Sequence, residues 1–420
     1  MKLLIKQARI ICSSSPLHGQ VKDLYIIDGI IKTIADSIAE IVDETLVADN
    51  LHISVGWMDI FANFNDPGFE QKETLVSGAA AAAAGGFTDV MLLPNTNPMV
   101  STKPLVEYIK QKAASLPVSI HPIGAVTKNA EGKELTEMYD MFASGAIAFS
   151  DGTQSIQSPG VLLKALQYVL PVGATIIQVP DDESISGDGL MNEGIQSTQL
   201  GLPGKPAIAE ELMIARDIEL LKYTKSKLHI TGVSTKKGIE LIVAAKNEGL
   251  NISCSVSPAH LWFCDEDLRE YDTNLKHNPP LRTRADRDAL QAALNDGRID
   301  CLASHHLPQH WDDKTCEFEY AKYGMISLEA LYGVANSFAK DSYSLIEQLT
   351  IAPRKIFGLP LPEIKEGATA CLTIFNPEIT FIFEQKHICS ISANSAFIGQ
   401  KLKGKVIGII NKNKFNLNQE

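Results

Sequence analysis

From residue 55 onward, short apolar runs alternate with longer amphipathic or alanine-rich segments, and this alternation limits the fold more than any other feature. Eight runs are typical of buried strands; they begin at residues 55, 89, 119, 146, 175, 227, 251 and 299. Helices are predicted over 73–84, 103–114, 159–168, 207–223, 237–248 and 284–295. Alternating strands and helices build parallel βα units. Eight such units favour a closed barrel over an open doubly wound sheet.

The two ends of the chain have a different pattern, rich in short strands and turns. Two apolar runs, 21–27 and 30–34, flank Asp28-Gly29, which is a hairpin signal. The segment 365–375 returns to strands and turns. We therefore predict that residues 1–54 and 365–420 together form one small β module, with the barrel over 55–364. The tail, 411–420, is rich in Asn and Lys and is predicted to be frayed.

The net charge and the cysteine content indicate which partners and which cell compartment to expect. The 420 residues carry a net charge of −12, which argues against binding to nucleic acid or to an anionic membrane surface. No apolar run approaches the roughly 20 residues that span a bilayer. The seven cysteines are scattered, without a Cys-x-x-Cys pair. This distribution is typical of reduced thiols in a cytoplasmic protein.

The stretch 59–68 begins as a buried strand and ends in a polar turn, as expected at the mouth of a barrel. It resembles the signature Asp-x-His-x-His-x-Arg-Glu-Pro-Gly of the dihydroorotases, in the amidohydrolase superfamily. The matching residues are Asp59, Pro67 and Gly68. The two histidine positions hold Phe61 and Asn63, and the arginine position holds Asn65.

Further matches to the dihydroorotases follow in order along nearly the whole chain. They lie at 85–88, 94–98, 148–152, 191–194, 201–204, 233–236, 278–282 and 394–404. The resemblance implies a (β/α)8 barrel with a small β-sandwich from both termini. It also implies interconversion of carbamoyl aspartate and dihydroorotate, a step of pyrimidine biosynthesis, by two zinc ions that share a hydroxide.

The resemblance places six residues at the metal site, and five of them are changed. Histidine ligands are replaced by Phe61, Asn63, Gln178 and Gly232. His305 stands in place of an aspartate that is both ligand and general base, and only Asp151 is retained. A phenyl ring cannot bind zinc, and one carboxylate does not hold it alone. We therefore expect no metal. His305 remains the candidate catalytic base, and zinc is expected only if the site has been rebuilt.

Substrate-binding positions are better preserved than metal positions. Asn95 and Asn278 match two asparagines that contact substrate in the family, and Asn65 replaces the arginine that binds the substrate carboxylate. Loss of that charge-assisted contact costs roughly 2–4 kcal/mol of affinity. Arg282 and Lys276 lie close to Asn278 in sequence and are candidates to supply the missing positive charge.

Three functions stay open at this point. The first, which we favour, is a catalytically inactive dihydroorotase homologue that acts as a structural or regulatory partner of aspartate transcarbamoylase, as the resemblance implies for such homologues. The second is an active dihydroorotase or cyclic amidohydrolase with a rebuilt site, in which Asp151, Gln178 and His305 converge. The third is a small-ligand binder that uses Asn95 and Asn278 without chemistry. We also expect a homo-oligomer.

Overall fold

The strands and helices were located in a computed structural model, which describes residues 2–418. The strands are β1 Lys2–Ile11, β2 Val21–Ile27, β3 Ile30–Ala35, β4 Glu44–Leu46, β5 His52–Val55, β6 Trp57–Ala62, β7 Phe87–Leu92, β8 Ser119–Gly124, β9 Ala148–Phe149, β10 Thr175–Gln178, β11 Met191–Asn192, β12 Gly204–Lys205, β13 Leu228–Ile230, β14 Ile252–Val256, β15 Cys301–Leu302, β16 Cys371–Ile382, β17 Lys401–Asn411 and β18 Lys414–Leu417. The helices are α1 Leu75–Ala84, α2 Lys103–Ala113, α3 Met138–Ala143, α4 Pro159–Tyr168, α5 Glu183–Ser186, α6 Ile195–Leu200, α7 Ile208–Thr224, α8 Lys236–Asn247, α9 Pro258–Trp262, α10 Arg284–Asn295, α11 Leu331–Phe338, α12 Ser342–Leu349 and α13 Ile351–Phe357.

Eight of these strands form a parallel barrel, in the order β6-β7-β8-β9-β10-β13-β14-β15. A bridge between Ala62 and His306 joins the first strand to the segment that follows the last one. Beside it, the buried Asp59 carboxylate accepts hydrogen bonds from the Ser304 backbone N–H (2.6 Å) and hydroxyl (2.7 Å). These contacts link the two edge strands of the barrel sheet.

An apolar cluster built mainly from barrel strands packs the inside of the barrel. Its buried members are Met58, Ile60, Phe61, Met91, Leu93, Ile123, Ala148, Ile177, Val179, Cys301, Ala303 and Phe357. Buried aliphatic and aromatic side chains of this kind pack the interior of (β/α)8 barrels, so the barrel is a core and not a pore. Phe61 belongs to this packing.

A second sheet is built from both ends of the chain. Its order is β18-β17-β16-β5-β1-β2-β3, with β4 also paired to β1. Strands β4 and β5 run parallel to β1, and the other pairs are antiparallel. The predicted combination of a (β/α)8 barrel with a β domain from both termini is confirmed. Val55 still pairs with Leu372 in this sheet, and the barrel begins at Trp57.

The frayed tail predicted for 411–420 is wrong for the residues up to 418, and 419–420 lie outside the described residues. Asn411 ends β17, and β18 pairs along it. The Asn418 side-chain amide donates to the carbonyl of Ala84 in α1 (2.8 Å). Tertiary contacts therefore order a segment whose composition alone is typical of a frayed end.

Several helices begin at a Ser or Thr whose side chain accepts from a free backbone N–H group. The side chains of Thr74, Ser158, Thr235 and Thr283 accept from the third residue of α1, α4, α8 and α10. Within residues 2–418, the structure has no helix of the length and apolar content needed to cross a membrane.

Candidate functional site at the barrel mouth

The position expected for the first metal ligand holds Phe61, and its ring contacts the ring of His305. Phe61, on β6, lies with its ring centroid 4.5 Å from that of His305, at an interplanar angle of 32°. Both residues are buried. The ring of Phe61 offers no lone pair, and it covers one face of the imidazole that would serve as the base.

His305 is tied into a line of hydrogen bonds inside the barrel. Its Nε2 lies 2.9 Å from the Thr231 hydroxyl, which accepts from the Ser255 hydroxyl at 2.8 Å. Ser255 in turn contacts Nε2 of His229 at 3.0 Å, and Nδ1 of His229 lies 2.8 Å from the Ser253 hydroxyl. Burial lowers the pKa of both histidines to about 3. Both rings are therefore neutral at physiological pH and held by hydroxyl groups.

The amides at the next positions are used in local contacts. Asn63 Oδ1 accepts from the backbone N–H of Asn65 (2.8 Å), and Asn63 Nδ2 donates to the carbonyl of Asn95 (3.4 Å). Asn65 Nδ2 donates to the carbonyl of Pro308 (3.4 Å). Asn65 has a φ of 57°, a conformation that Asn tolerates better than most residues. The side-chain amides of Asn63 and Asn65 are therefore engaged in hydrogen bonds within the mouth of the barrel.

Both oxygens of Asp151 are engaged by Thr127. Oδ1 accepts from the Thr127 backbone N–H (2.8 Å) and Oδ2 from its hydroxyl (2.5 Å). Burial raises the pKa of Asp151, which opposes the charged form that a metal requires. Gln178 exchanges two long hydrogen bonds, both 3.4 Å, with the backbone of Ile156.

These residues do not fit the two zinc ions that the family fold implies. Zinc sites need three or four His, Cys or carboxylate ligands around one point. Within residues 2–418, no group of three or more such side chains is placed to hold a metal ion. Asp151, Gln178 and His305 are joined to Thr127, Ile156 and Thr231 instead of to one another. The convergence that a rebuilt site requires is absent from these contacts.

A cavity of about 440 Å³ opens at the mouth, and six of the fifteen residues that line it carry amide side chains. They are Asn63, Asn65, Asn95, Gln154, Asn278 and Gln309. The three expected substrate-binding residues, Asn65, Asn95 and Asn278, are thus brought together. Their role in binding substrate stays a prediction. His305 does not line this cavity; it is buried, and its ring contacts that of Phe61.

The positive charge beside Asn278 comes from a residue that sequence reasoning missed. Lys205 Nζ donates to Asn278 Oδ1 (2.9 Å) and pairs with Asp181 (2.7 Å). The expectation that Arg282 and Lys276 supply charge here is wrong. Arg282 is buried against Asn192, Ser234 and Glu210, whereas the Lys276 ammonium donates to the carbonyls of Phe318 and Glu319.

Comparison with known proteins agrees with the geometry of the fold. The model of the Dihydro-orotase-like family matches residues 52–238. A protein named dihydroorotase from Caldanaerobacter subterraneus subsp. tengcongensis is 39% identical over 414 residues, covering 97% of this chain and 95% of the relative. Another protein of that name, from Syntrophus aciditrophicus, is 36% identical over 414 residues, covering 97% of each chain.

Solved structures of other proteins have a similar fold at low sequence identity. L-hydantoinase from Arthrobacter aurescens superposes with a TM-score of 0.84 at 21% identity, covering 100% of this chain and 97% of that one. Dihydropyrimidinase from Brevibacillus agri superposes with a TM-score of 0.81 at 17% identity, covering 100% and 95%. The full-length identity to the curated relatives establishes the family: this chain is a member of the dihydroorotase family.

Proposed function

We propose that this protein is a catalytically inactive dihydroorotase homologue. The observation that carries the proposal is the close, tilted contact of the Phe61 ring with the His305 ring, at the place where the family resemblance implies the first metal ligand. Asp151, the one retained ligand, adds support because Thr127 engages both of its oxygens. Without two bound ions there is no activated hydroxide to attack the cyclic amide.

The test is metal content together with turnover. The protein is purified from zinc-supplemented medium, its zinc is measured by elemental analysis, and hydrolysis of dihydroorotate is followed in parallel. The relative from Caldanaerobacter, prepared in the same way, is the control. We expect less than one zinc per ten chains and no turnover above background. Stoichiometric zinc together with turnover would overturn the proposal.

For the biological role, we propose a structural or regulatory partnership with aspartate transcarbamoylase. This role rests on the family resemblance and on the loss of metal ligands, which leaves the fold but removes its chemistry. Co-expression with the aspartate transcarbamoylase of the same genome, followed by light scattering after size exclusion, tests it and also gives the oligomeric state. Two species that elute separately at micromolar concentration would contradict the partnership. The seven unpaired cysteines support a cytoplasmic location.

A second candidate is an active dihydroorotase with a rebuilt site. It is favoured by full-length identity to relatives named dihydroorotase and by the gathering of Asn65, Asn95 and Asn278 around one cavity. His305 is then the base, and His305→Ala abolishes turnover. The third candidate, binding without chemistry, predicts heat in calorimetry with carbamoyl aspartate at millimolar concentration, but no product.

A further inference from the structure

A second cavity, of about 310 Å³, lies between the barrel helices and the terminal sheet. It shares no lining residue with the mouth cavity. Helices α1 and α11 contribute one side, and β16, β17, β18 and the loop after β16 contribute the other. Small residues leave the space open, notably Ala80, Ala84 and Gly333. Its volume falls at the lower end of the range of about 300–1,000 Å³ typical of small-molecule sites.

One wall of this cavity is basic. It carries Lys386, His387 and Lys405. Burial lowers the pKa of His387, and the charges of Lys386 and Lys405 act in the same direction, so the imidazole is neutral and the two ammonium groups carry the charge. Lys386 pairs with Glu384 at 2.8 Å, whereas Lys405 has no ion pair within the described residues. An ammonium group is therefore available to an anion.

Next to the basic wall lies an aromatic surface. The Phe383 ring stacks on the His387 ring, with 5.7 Å between centroids and an angle of 28°. Phe381 meets the same imidazole edge-on, at 5.3 Å and 74°. A planar ring gains both apolar contact and favourable ring geometry on such a surface.

Two polar groups of the lining have no partner within residues 2–418. The Tyr332 hydroxyl is one, although this residue is only 1% exposed. Burial raises the pKa of Tyr332, so its hydroxyl stays a donor. The other is Glu329 Oε2; the second oxygen of that carboxylate accepts from the backbone N–H groups of Cys389 (3.1 Å) and Ser390 (3.2 Å). Both oxygens are buried, so a ligand in the cavity reaches them only when the side chains that cover them move apart; such a ligand would supply the partners that buried polar groups normally have.

We propose that this cavity is a ligand site for a small planar organic anion that also carries a hydrogen-bond donor. The ring lies against Phe381 and Phe383, and the anionic group binds Lys405. Tyr332 donates to an acceptor on the ligand, and Glu329 accepts from its donor. The proposal is independent of catalysis at the barrel mouth, because the two cavities have no residue in common.

The test uses 1-anilinonaphthalene-8-sulfonate, which combines planar rings, a sulfonate and an N–H group. Fluorescence titration of the full chain is expected to give saturable binding at one site per chain. Lys405→Gln is expected to weaken that binding about 5- to 20-fold, as for loss of one charge-assisted contact. Its matched control is Lys401→Gln, an exposed lysine on the same strand with no ion pair in the described part of the chain, which leaves binding unchanged.

A second pair of variants tests the cavity from the side of helix α1: one variant fills the space and the other is its control. Ala84→Leu places a larger side chain in the space and is expected to weaken binding at least 10-fold. Val76→Leu, at an exposed position of the same helix outside the cavity, leaves it unchanged. Thermal melting checks that each variant is folded, and if Ala84→Leu is not, the Lys405 pair decides. Absence of saturable binding, or equal weakening by Lys405→Gln and Lys401→Gln, overturns the proposal.

Discussion

A Cβ atom added to Gly232 would lie 2.7 Å from Cε1 of His305. Gly232 also has a φ of +69°, in the left-handed region that side chains disfavour. The family resemblance places a metal ligand at both positions. In this chain, the imidazole of His305 occupies the space that a side chain at 232 would need. A side chain at 232 therefore clashes with the imidazole unless residue 305 is also made smaller.

Gly232→Ala is expected to reduce the free energy of unfolding by about 2–4 kcal/mol, from backbone strain and from the overlap with His305. In a His305→Ala background the same change should cost only about 1 kcal/mol, because the overlap is gone. Urea unfolding of the four proteins of this cycle measures the coupling. Gly249→Ala is the control, since it has φ +82° but no atom within 4 Å of the added Cβ. Equal costs at 232 and 249 would show that the overlap has no energetic consequence.

Phe61→Ala is expected to lower the free energy of unfolding by about 3–5 kcal/mol, because it opens a cavity in the barrel core and removes the ring that covers His305. Chemical denaturation measures the loss. Tyr320→Ala, at a side chain that is 73% exposed, should change stability by less than about 0.5 kcal/mol. A small effect at Phe61 would mean that the mouth has room to rearrange, and would weaken the case for an inactive site.

The Lys205–Asp181 pair should be sensitive to removal of one partner. Both side chains are under 10% exposed, so Lys205→Met leaves a buried carboxylate unpaired and should cost about 3–5 kcal/mol. The surface pair Lys128–Glu134, with exposures of 57% and 71%, is the matched control, and Lys128→Met should cost less than about 1 kcal/mol. The double variant Lys205→Met/Asp181→Leu should recover part of the loss. A mild effect of Lys205→Met alone would contradict the burial of this pair.

Asp217 should make the protein less stable as pH rises. Burial raises the pKa of this carboxyl to about 7 from an ordinary value of 3.8, and its Oδ2 has no partner within residues 2–418. Between these two pH values the folded state holds a proton that the unfolded state releases, so the free energy of unfolding falls as pH increases. Asp217→Asn should therefore be more stable than the wild type by about 1–3 kcal/mol at pH 8 and equal to it at pH 4.

The measurement for Asp217 is the free energy of unfolding of Asp217→Asn minus that of the wild type, determined at a series of pH values. This matters because His229 and His305, with pKa values near 3, act in the opposite sense: their contribution is lost as pH falls below about 6.5. Both proteins contain these histidines, so their effect cancels in the difference. Glu219→Gln, an exposed change on the same helix, should show no such pH dependence. If the difference in free energy of unfolding between Asp217→Asn and the wild type is the same at every pH, then Asp217 does not titrate in this range.

Periodicity was enough to predict most of the fold. The α10 helix was predicted over 284–295 and is observed over the same residues. Short elements were missed: α3, α11, α13 and the β11–β12 ribbon are each eight residues or fewer, too short for a clear period. The tail was mispredicted because the contacts of Asn411 and Asn418 are with distant backbone carbonyls, which no local pattern encodes.

The site was harder to predict than the fold. Asn65, Asn95 and Asn278 were found because family motifs mark them. Lys205 was missed, because its partner Asp181 lies 24 residues away and nothing local shows that a lysine is buried. Its position between Gly204 and Pro206, in an otherwise uncharged segment, was the one available signal. Arg282 was misassigned because its buried contact with Glu210 depends on how α7 packs on the loop after β13.

The pairing of β5 with β16 sets an order of events during synthesis. Trp57 and Thr373, which are hydrogen-bonded beside this pair, are 316 residues apart in the chain. At about 5–20 residues per second, the ribosome needs about 15–60 s to deliver the second strand after the first. β5 can already pair with β1 on one side, but during that interval its other edge, which faces β16, has no backbone partner, and an open strand edge can associate with other nascent chains. We therefore expect that, until β16 is made, this edge of β5 is the part of the N-terminal sheet most open to association with other chains.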